Sequence, residues 1–417
     1  MPRLVINGGK KLRGNVSIHG AKNSVLPVLA ATLLCEGESY IHNCPRLSDV
    51  DTSLKILEHL GFSCKRDNDT VCVKPNNLGA FDIPDSLMRE MRSSVVFLGA
   101  ILGRLGRAQI TSPGGCELGP RPIDLHISSL ERLGAVVSEE SGLLIFSAPN
   151  GLCGAEISLS FPSVGATENI ILAAATARGT TVIHNAAREP EISDLADFLN
   201  SAGARIYGCG SDTVVIHGVK HLKNAEHTII PDRIVVATYM AAAAITGSDI
   251  TLTNIMPSHL VAVCDIFHGA GCKIEPIRKG LCIYSPEKLH RVPTIRTLVY
   301  PGFPTDAGPL IAAMLSVAQG TSIFVENIFQ NRFRYADELS RFGAKIKTEG
   351  RVAIIEGVNT LSAANARCTD LRGGAALAIA ALRAEGQSRI DEICHIKRGY
   401  EDFCEKLRLL GAEIYEE

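Results

Sequence analysis

One phrase recurs six times along this 417-residue chain: the end of an amphipathic stretch, a glycine, a small residue or phenylalanine, and a short strand. It reads HLGFSC, RLGAVV, SAGARI, GAGCKI, RFGAKI and LLGAEI, with glycines at 61, 134, 203, 271, 343 and 411, spaced 68 to 73 residues apart. Self-similarity at a fixed period across the whole length means that one supersecondary unit was copied. It also supplies a ruler, because residues at equal distances before each glycine occupy equivalent places in the fold.

Each copy reads alike. An Ala-rich helical pattern comes first, over residues 25–34, 95–102, 170–177, 235–245, 310–318 and 375–384. A β-branched strand follows, as at 180–183 or 322–325, then a polar loop. Next comes a helix amphipathic at i, i+3 and i+4, as with Leu195, Phe198 and Leu199. Two further strands follow the glycine, as at 204–207 and 214–217. The unit is βαβαββ, and the class is α/β.

The last copy ends at Glu417, soon after its marker glycine, while two strands at 4–7 and 16–19 precede the first copy. The economical reading is that these N-terminal strands complete the last copy. Single cores rarely exceed about 250–300 residues, so six copies divide into two domains of three. One spans 21–230 and the other joins 1–20 to 231–417, with the active site in the cleft between them.

Composition narrows the function classes. A net charge of −2 and the absence of tryptophan give no support to nucleic-acid binding. No apolar run reaches about 18 residues, which argues against a membrane span. The N-terminus MPRLVINGGKKLRG lacks the apolar core of a secretion signal. Thirteen cysteines in such a chain point to a reducing cytoplasm and free thiols, and no C-x-x-C pair suggests structural zinc.

Applied at 37 to 42 residues before each glycine, the ruler finds charged and hydroxyl groups where the Ala-rich helices begin: Lys22-Asn23, Arg92-Ser93, Ser163-Val164-Gly165, Asp232-Arg233, Thr305-Asp306 and Asp370-Leu371-Arg372. Asp, Ser and Thr have an ordinary explanation there as N-caps. Lys22, Arg92, Arg233 and Arg372 do not, because a cation meets the positive end of the helix dipole. They suit a bound anion, which free helix-start amides also attract. A second register, 11 to 15 residues before each glycine, holds Arg46, Arg121, Glu189, Ser258, Arg332 and Arg398. A solvated loop explains any one of these residues, whereas four planar forks at one register suit phosphate or carboxylate.

The second copy breaks the pattern with SPGGCELGPRPIDLH, residues 112–126. Three glycines and three prolines give this segment the composition of a lid. Cys116 stands at its centre and is expected to be exposed, and an exposed thiol beside arginines can be acidified and made reactive. Cysteines in strands and helices, such as Cys264 and Cys404, read instead as small buried apolar residues.

The runs GAKNSVLPVLAATLL, MRSSVVFLGAIL, PGGCELGPRPIDLHISSLERLGA, SVGAT, NAAREPEI, YPGFPTD, ENIFQNRF, CTDLRGGAALAIAAL and HIKRGYE resemble, in order and over essentially the whole chain, the UDP-N-acetylglucosamine 1-carboxyvinyltransferases. These are enolpyruvyl transferases that begin peptidoglycan precursor synthesis. The resemblance implies a two-domain inside-out α/β barrel of six βαβαββ copies, three per domain, closing around phosphoenolpyruvate and UDP-N-acetylglucosamine. It implies that Lys22, Arg121 and Arg398 hold phosphoenolpyruvate and that Cys116 acts as general acid or forms a transient thiol adduct. Asn23, Arg92, Arg121, Pro122, Ile123, Asp124, Leu125, Ser163, Val164, Gly165 and Ile328 would meet the sugar nucleotide. Asp306 would take or orient the proton of the sugar 3-hydroxyl, with Arg332, Asp370 and Arg372 supporting the cleft.

Addition to and elimination from an enol ether need an acid, a base and a charge-matched cage, which requires no metal or redox cofactor. No obligate protein partner is implied. Two departures stand out. Lys397 adds positive charge before Arg398, and Glu117 beside Cys116 is expected to raise the thiol pKa by like-charge proximity and so reduce its reactivity toward epoxides such as fosfomycin. Two other readings remain open here: the shikimate-3-phosphate enolpyruvyl transferase, which should lack the cysteine lid and RPIDL, and a catalytically silent paralogue that binds the sugar nucleotide to regulate a partner.

Overall fold

A computed structural model describes residues 2–111 and 123–417. The expectations placed on Cys116, Glu117, Arg121 and Pro122 fall outside those residues. The described chain divides into two compact units, residues 2–19 with 231–417 and residues 20–111 with 123–230. Each unit has its own apolar core.

The third copy shows the sheet that the period encodes. Glu156–Ser158 runs parallel to Thr180–His184, which pairs antiparallel with Thr213–His217, itself antiparallel to Arg205–Tyr207. Four other sheets repeat this order. In the second copy Arg107–Thr111, Leu143–Ser147 and Val136–Glu140 make three strands, and only a parallel bridge from Asp82 to Gln109 marks the place of the fourth. The six sheets remain separate, so "inside-out" describes helices at the centre rather than strands closed into a barrel.

The two N-terminal strands part company. Leu4–Asn7 pairs antiparallel with both Gln387–Asp391 and Glu413–Glu416 and supplies the strand that the sixth copy lacks. Arg13–Ser17 instead runs parallel to Asp249–Thr253 in the fourth copy, against the expectation that both strands serve the last. The reason is that every copy needs a parallel strand before its buried helix. The segment preceding Arg233, Glu226–Thr228, is already paired with Ser39–His42 of the first copy. The first and last strands of each unit are therefore exchanged around the ring of three copies.

The marker glycines earn their period through backbone geometry. All six adopt φ between +87° and +104°, directly after the outer helices. This left-handed region is costly for residues with a Cβ. A second positive-φ position uses asparagine: Asn43, Asn185 and Asn254 each follow a central strand. Their Nδ2 groups donate to Ile229 O, Leu159 O and Ile18 O at 2.8, 2.8 and 2.6 Å, pinning the parallel neighbour.

The Ala-rich helices are buried nearly all round, as a helix without a polar face must be. Arg233–Thr246, Gly308–Leu315 and Leu371–Arg383 pack against one another in one unit. In the other, Phe97–Leu105 touches both Lys22–Ala31 and Val164–Ala174. Small residues permit the approach, since a Cβ on Gly99 would stand 2.3 Å from the carbonyl oxygen of Asn169. Among the described residues no helix is long and apolar enough to cross a membrane.

Candidate functional site

In the unit of residues 20–111 and 123–230, the helix starts carry the expected cations, with partners that the sequence did not disclose. Lys22 opens Lys22–Ala31 and is buried, its Nζ 2.7 Å from Oδ2 of Asp49, which is buried as well. Asp49 comes from the first turn of the outer helix Ser48–His59. Asn23 beside it is exposed. Arg92 is half-buried at the start of the 3-10 turn Arg92–Val96 that leads into Phe97–Leu105. Ser163 caps Val164–Ala174 by accepting from Ala166 N at 3.3 Å, and Val164 and Gly165 form its half-buried first turn. Asp124 opens Asp124–Arg132 and is exposed, flanked by half-buried Ile123 and Leu125.

Two of these features rest on a residue that the sequence reading passed over. Asn169, fully buried, accepts from Gly99 N at 2.6 Å, and its Nδ2 lies 2.8 Å from Nδ1 of His126 and 3.0 Å from Val95 O. His126 is itself buried, and desolvation, with a smaller opposing pull from Asp124 and a push from Arg92, lowers its pKa to about 4. Only the distribution of helix-face polar residues hinted at this network, because nothing local distinguishes a networked asparagine from a solvated one.

In the unit of residues 2–19 and 231–417, three helix starts converge. Asp232 accepts from Ile234 N and Val235 N at 2.8 and 3.0 Å, and Asp370 accepts from Arg372 N and Gly373 N at 3.0 Å each. The capping explanation therefore holds for Asp232, Asp370 and Ser163. Asp306 does something else: its Oδ1 lies 3.2 Å from Nη2 of Arg332 and its Oδ2 3.5 Å from Nε of Arg372. Both guanidiniums are 2% exposed. Burial opposes the charge on Arg372, yet Tyr400, Asp306 and Asp232 outweigh it and hold the guanidinium protonated. Its Cζ lies 5.3 Å from the centroid of the Tyr400 ring. Arg233, also buried, lies against Tyr300, and Arg398 is half-buried at the end of Cys394–Lys397.

The loop that delivers Arg332 and Ile328 is organised by a carboxylate missed in the sequence. Glu326, 0% exposed, accepts at Oε1 from Thr297 Oγ1 at 2.9 Å, from Ile328 N at 2.8 Å and from Phe329 N at 3.1 Å. At Oε2 it accepts from Thr305 Oγ1 at 2.8 Å. One buried anion thereby joins the turn carrying Thr305 and Asp306 to the loop carrying Ile328 and Arg332. Lys397 directs its ammonium to Glu416, 2.7 Å away on the last strand, so its charge is engaged there and is not simply added to that of Arg398.

The described thiols divide clearly. Burial raises those of Cys35, Cys264 and Cys272 to about 11 and those of Cys64 and Cys209 to about 12, values at which a thiolate is scarce at neutral pH. Cys404 is buried as expected, whereas Cys153 and Cys394 are exposed.

Repeated α/β copies place basic and acidic side chains at the starts of buried helices, a pattern suited to anionic ligands. The model of the EPSP synthase family, described as 3-phosphoshikimate 1-carboxyvinyltransferase, matches residues 6–407, and the chain belongs to this family of enolpyruvyl transferases. Within it, the chain is 50% identical over 414 residues to UDP-N-acetylglucosamine 1-carboxyvinyltransferase 2 of Caldanaerobacter subterraneus subsp. tengcongensis, covering 99% of each protein. It is 48% identical to UDP-N-acetylglucosamine 1-carboxyvinyltransferase 1 of Symbiobacterium thermophilum, covering 99% of this chain and 94% of the relative. The crystal structure of the enolpyruvyl transferase NikO from Streptomyces tendae superposes with a TM-score of 0.90 at 25% identity, covering 100% of this chain and 99% of NikO.

Proposed function

We propose that the chain transfers the enolpyruvyl group of phosphoenolpyruvate to the 3-hydroxyl of UDP-N-acetylglucosamine and releases phosphate, the first committed step of peptidoglycan precursor synthesis. In this reading the sugar oxygen attacks C2 of phosphoenolpyruvate while C3 gains a proton. Loss of a proton from C3 then expels phosphate and restores the double bond. Asp306 takes the hydroxyl proton. Lys22, Arg121 and Arg398 hold the phosphate and carboxylate, and Arg92, Asn23, residues 121–125, 163–165 and Ile328 hold the sugar nucleotide. Cys116 either protonates C3 or bonds transiently to C2; turnover retained in Cys116→Asp selects the proton donor, because a carboxylic acid keeps the proton and loses the thiol adduct.

The observation that carries the reading is the carboxylate of Asp306 set against the two buried guanidiniums of Arg332 and Arg372. A carboxylate held beside two buried cations suits a reaction that handles a hydroxyl proton next to an anionic partner. The names carried by relatives at 50% and 48% identity support the acceptor. Phosphate release tests it. Release with phosphoenolpyruvate and UDP-N-acetylglucosamine is expected; release only with shikimate 3-phosphate selects the sister reaction, and none with either acceptor selects a silent paralogue.

A further inference from the structure

Ser163, Asp232 and Asp370 cap their own helices, but Lys22–Ala31 has no such help. Ala21 stands at its N-cap, no acidic residue lies in its first turn, and Lys22 puts a buried cation there. Uncapped amides and a cation both call for negative charge at a helix start. Two carboxylates reach it from other elements. Asp49 meets Nζ of Lys22 at 2.7 Å. The second is Asp194, on the outer helix Pro190–Ser201, which packs against Lys22–Ala31.

Asp194 is 3% exposed and gathers donors from three segments. Its Oδ2 accepts from the buried hydroxyl of Ser24, the third residue of Lys22–Ala31, and lies 3.5 Å from Ile230 N. Its Oδ1 lies 2.8 Å from Nε2 of His227 on Glu226–Thr228, and that nitrogen donates to it. The His227 ring also meets Phe198 edge-on at 5.9 Å between centroids, one turn from Asp194 on the same helix face. Ile230 O in turn accepts from Ala21 N at 2.7 Å. These contacts close a circuit around the helix start, and every member lies in the unit of residues 20–111 and 123–230.

The two residues at this helix start differ in support. Lys22 is held by Asp49, whereas Asn23 is exposed, has no side-chain hydrogen bond among the described residues and takes its place from the backbone. Ser24 is the next residue. We propose that Asp194, oriented by His227, is a positioning residue that anchors Ser24 and so fixes where Asn23 meets the sugar nucleotide. This deepens the proposed function and rests on it for the identity of that ligand. Ordering a loose helix start on binding weakens affinity, so an anchor already in place strengthens it. Because Lys22 has its own tie to Asp49, the effect falls on the sugar nucleotide more than on phosphoenolpyruvate.

Three variants test it. Ser24→Ala removes the anchor and leaves the pair of Asp194 and His227, while Asp194→Ala removes both contacts. Asp194→Asn keeps both, because its oxygen can face Ser24 and Ile230 N while its amide donates to His227 in the other tautomer. Ser24→Ala is expected to raise the KM for UDP-N-acetylglucosamine about fivefold, the scale of one lost hydrogen bond, with the KM for phosphoenolpyruvate and kcat each moving less than about twofold. Asp194→Ala should match or exceed that rise, and Asp194→Asn should recover the KM to within about twofold of wild type. A rise below about twofold in Ser24→Ala, an equal rise in both KM values, or an Asp194→Asn variant no better than Ser24→Ala overturns the inference. Asp194→Ala is dispensable should it not fold, since the other two variants decide. Hydrogen exchange in the free protein reads the anchor apart from activity: peptides covering residues 21–27 should exchange about fivefold faster in Ser24→Ala than in wild type or Asp194→Asn, and equal rates overturn it. Wild-type protein that releases no phosphate with UDP-N-acetylglucosamine marks failure of the function itself, which the exchange comparison leaves distinguishable.

Discussion

Removing the Glu326 side chain should loosen the loop that carries Ile328 and Arg332 far more than changing its charge does. In Glu326→Ala, four donors lose their acceptor. The hydroxyls of Thr297 and Thr305 can rotate toward other acceptors, but the amides of Ile328 and Phe329 are fixed by the backbone. At about 1–3 kcal/mol for each buried donor left unsatisfied, the amides alone imply a loss of about 2–6 kcal/mol. In Glu326→Gln the oxygen facing three donors is retained, and only the contact with Thr305 must reverse its sense, at a cost of about 1 kcal/mol. Hydrogen exchange followed by mass spectrometry reads this locally, because about 1.4 kcal/mol corresponds to a tenfold change in opening. Peptides covering residues 326–334 should exchange at least tenfold faster in Glu326→Ala and within about fivefold of wild type in Glu326→Gln. The kcat of the alanine variant should fall as Asp306 and Arg332 lose their shared support. Equal exchange in the two variants, or fast exchange in the alanine variant with normal kcat, would refute the view that this anion holds the two site segments together.

The remaining predictions address other links. His126 should make stability pH-dependent: its folded pKa of about 4 lies below the ordinary 6.5, so the unfolded chain binds the extra proton and stability falls as pH drops from about 6.5 toward 4. Between pH 7.5 and pH 5.0 this amounts to about 2 kcal/mol, and urea unfolding of His126→Asn should show a correspondingly flatter acid limb; parallel limbs refute it. Gly203→Ala, where an added Cβ meets nothing within 4 Å, should cost only the strain of a positive φ, about 1–2 kcal/mol. Gly61→Ala, whose Cβ would stand 2.1 Å from Asn77 O, should cost clearly more by thermal unfolding, and equal losses would count against the steric part of the argument. Asp306→Asn should retain the fold by circular dichroism and lower kcat by about 10²-fold or more, as loss of a general base does; a smaller loss removes Asp306 from proton transfer.

What sequence alone determined about this protein is periodic or local. The spacing of the six marker glycines disclosed the copied unit and the alternation of buried helix and sheet. The caps at Ser163, Asp232 and Asp370 were legible because a cap acts on amides two or three residues away. Tertiary structure decided the rest. Asp49 reaches Lys22 from the following helix, Asp306 meets Arg332 and Arg372 at different distances along the chain, and Asn169 bonds a histidine 43 residues earlier. The strand Arg13–Ser17 found its partner beyond residue 248 rather than in the last copy. A hydrogen bond or ion pair depends on distances of a few ångströms, and those distances are set by how copies pack against one another, information that no window of neighbouring residues contains.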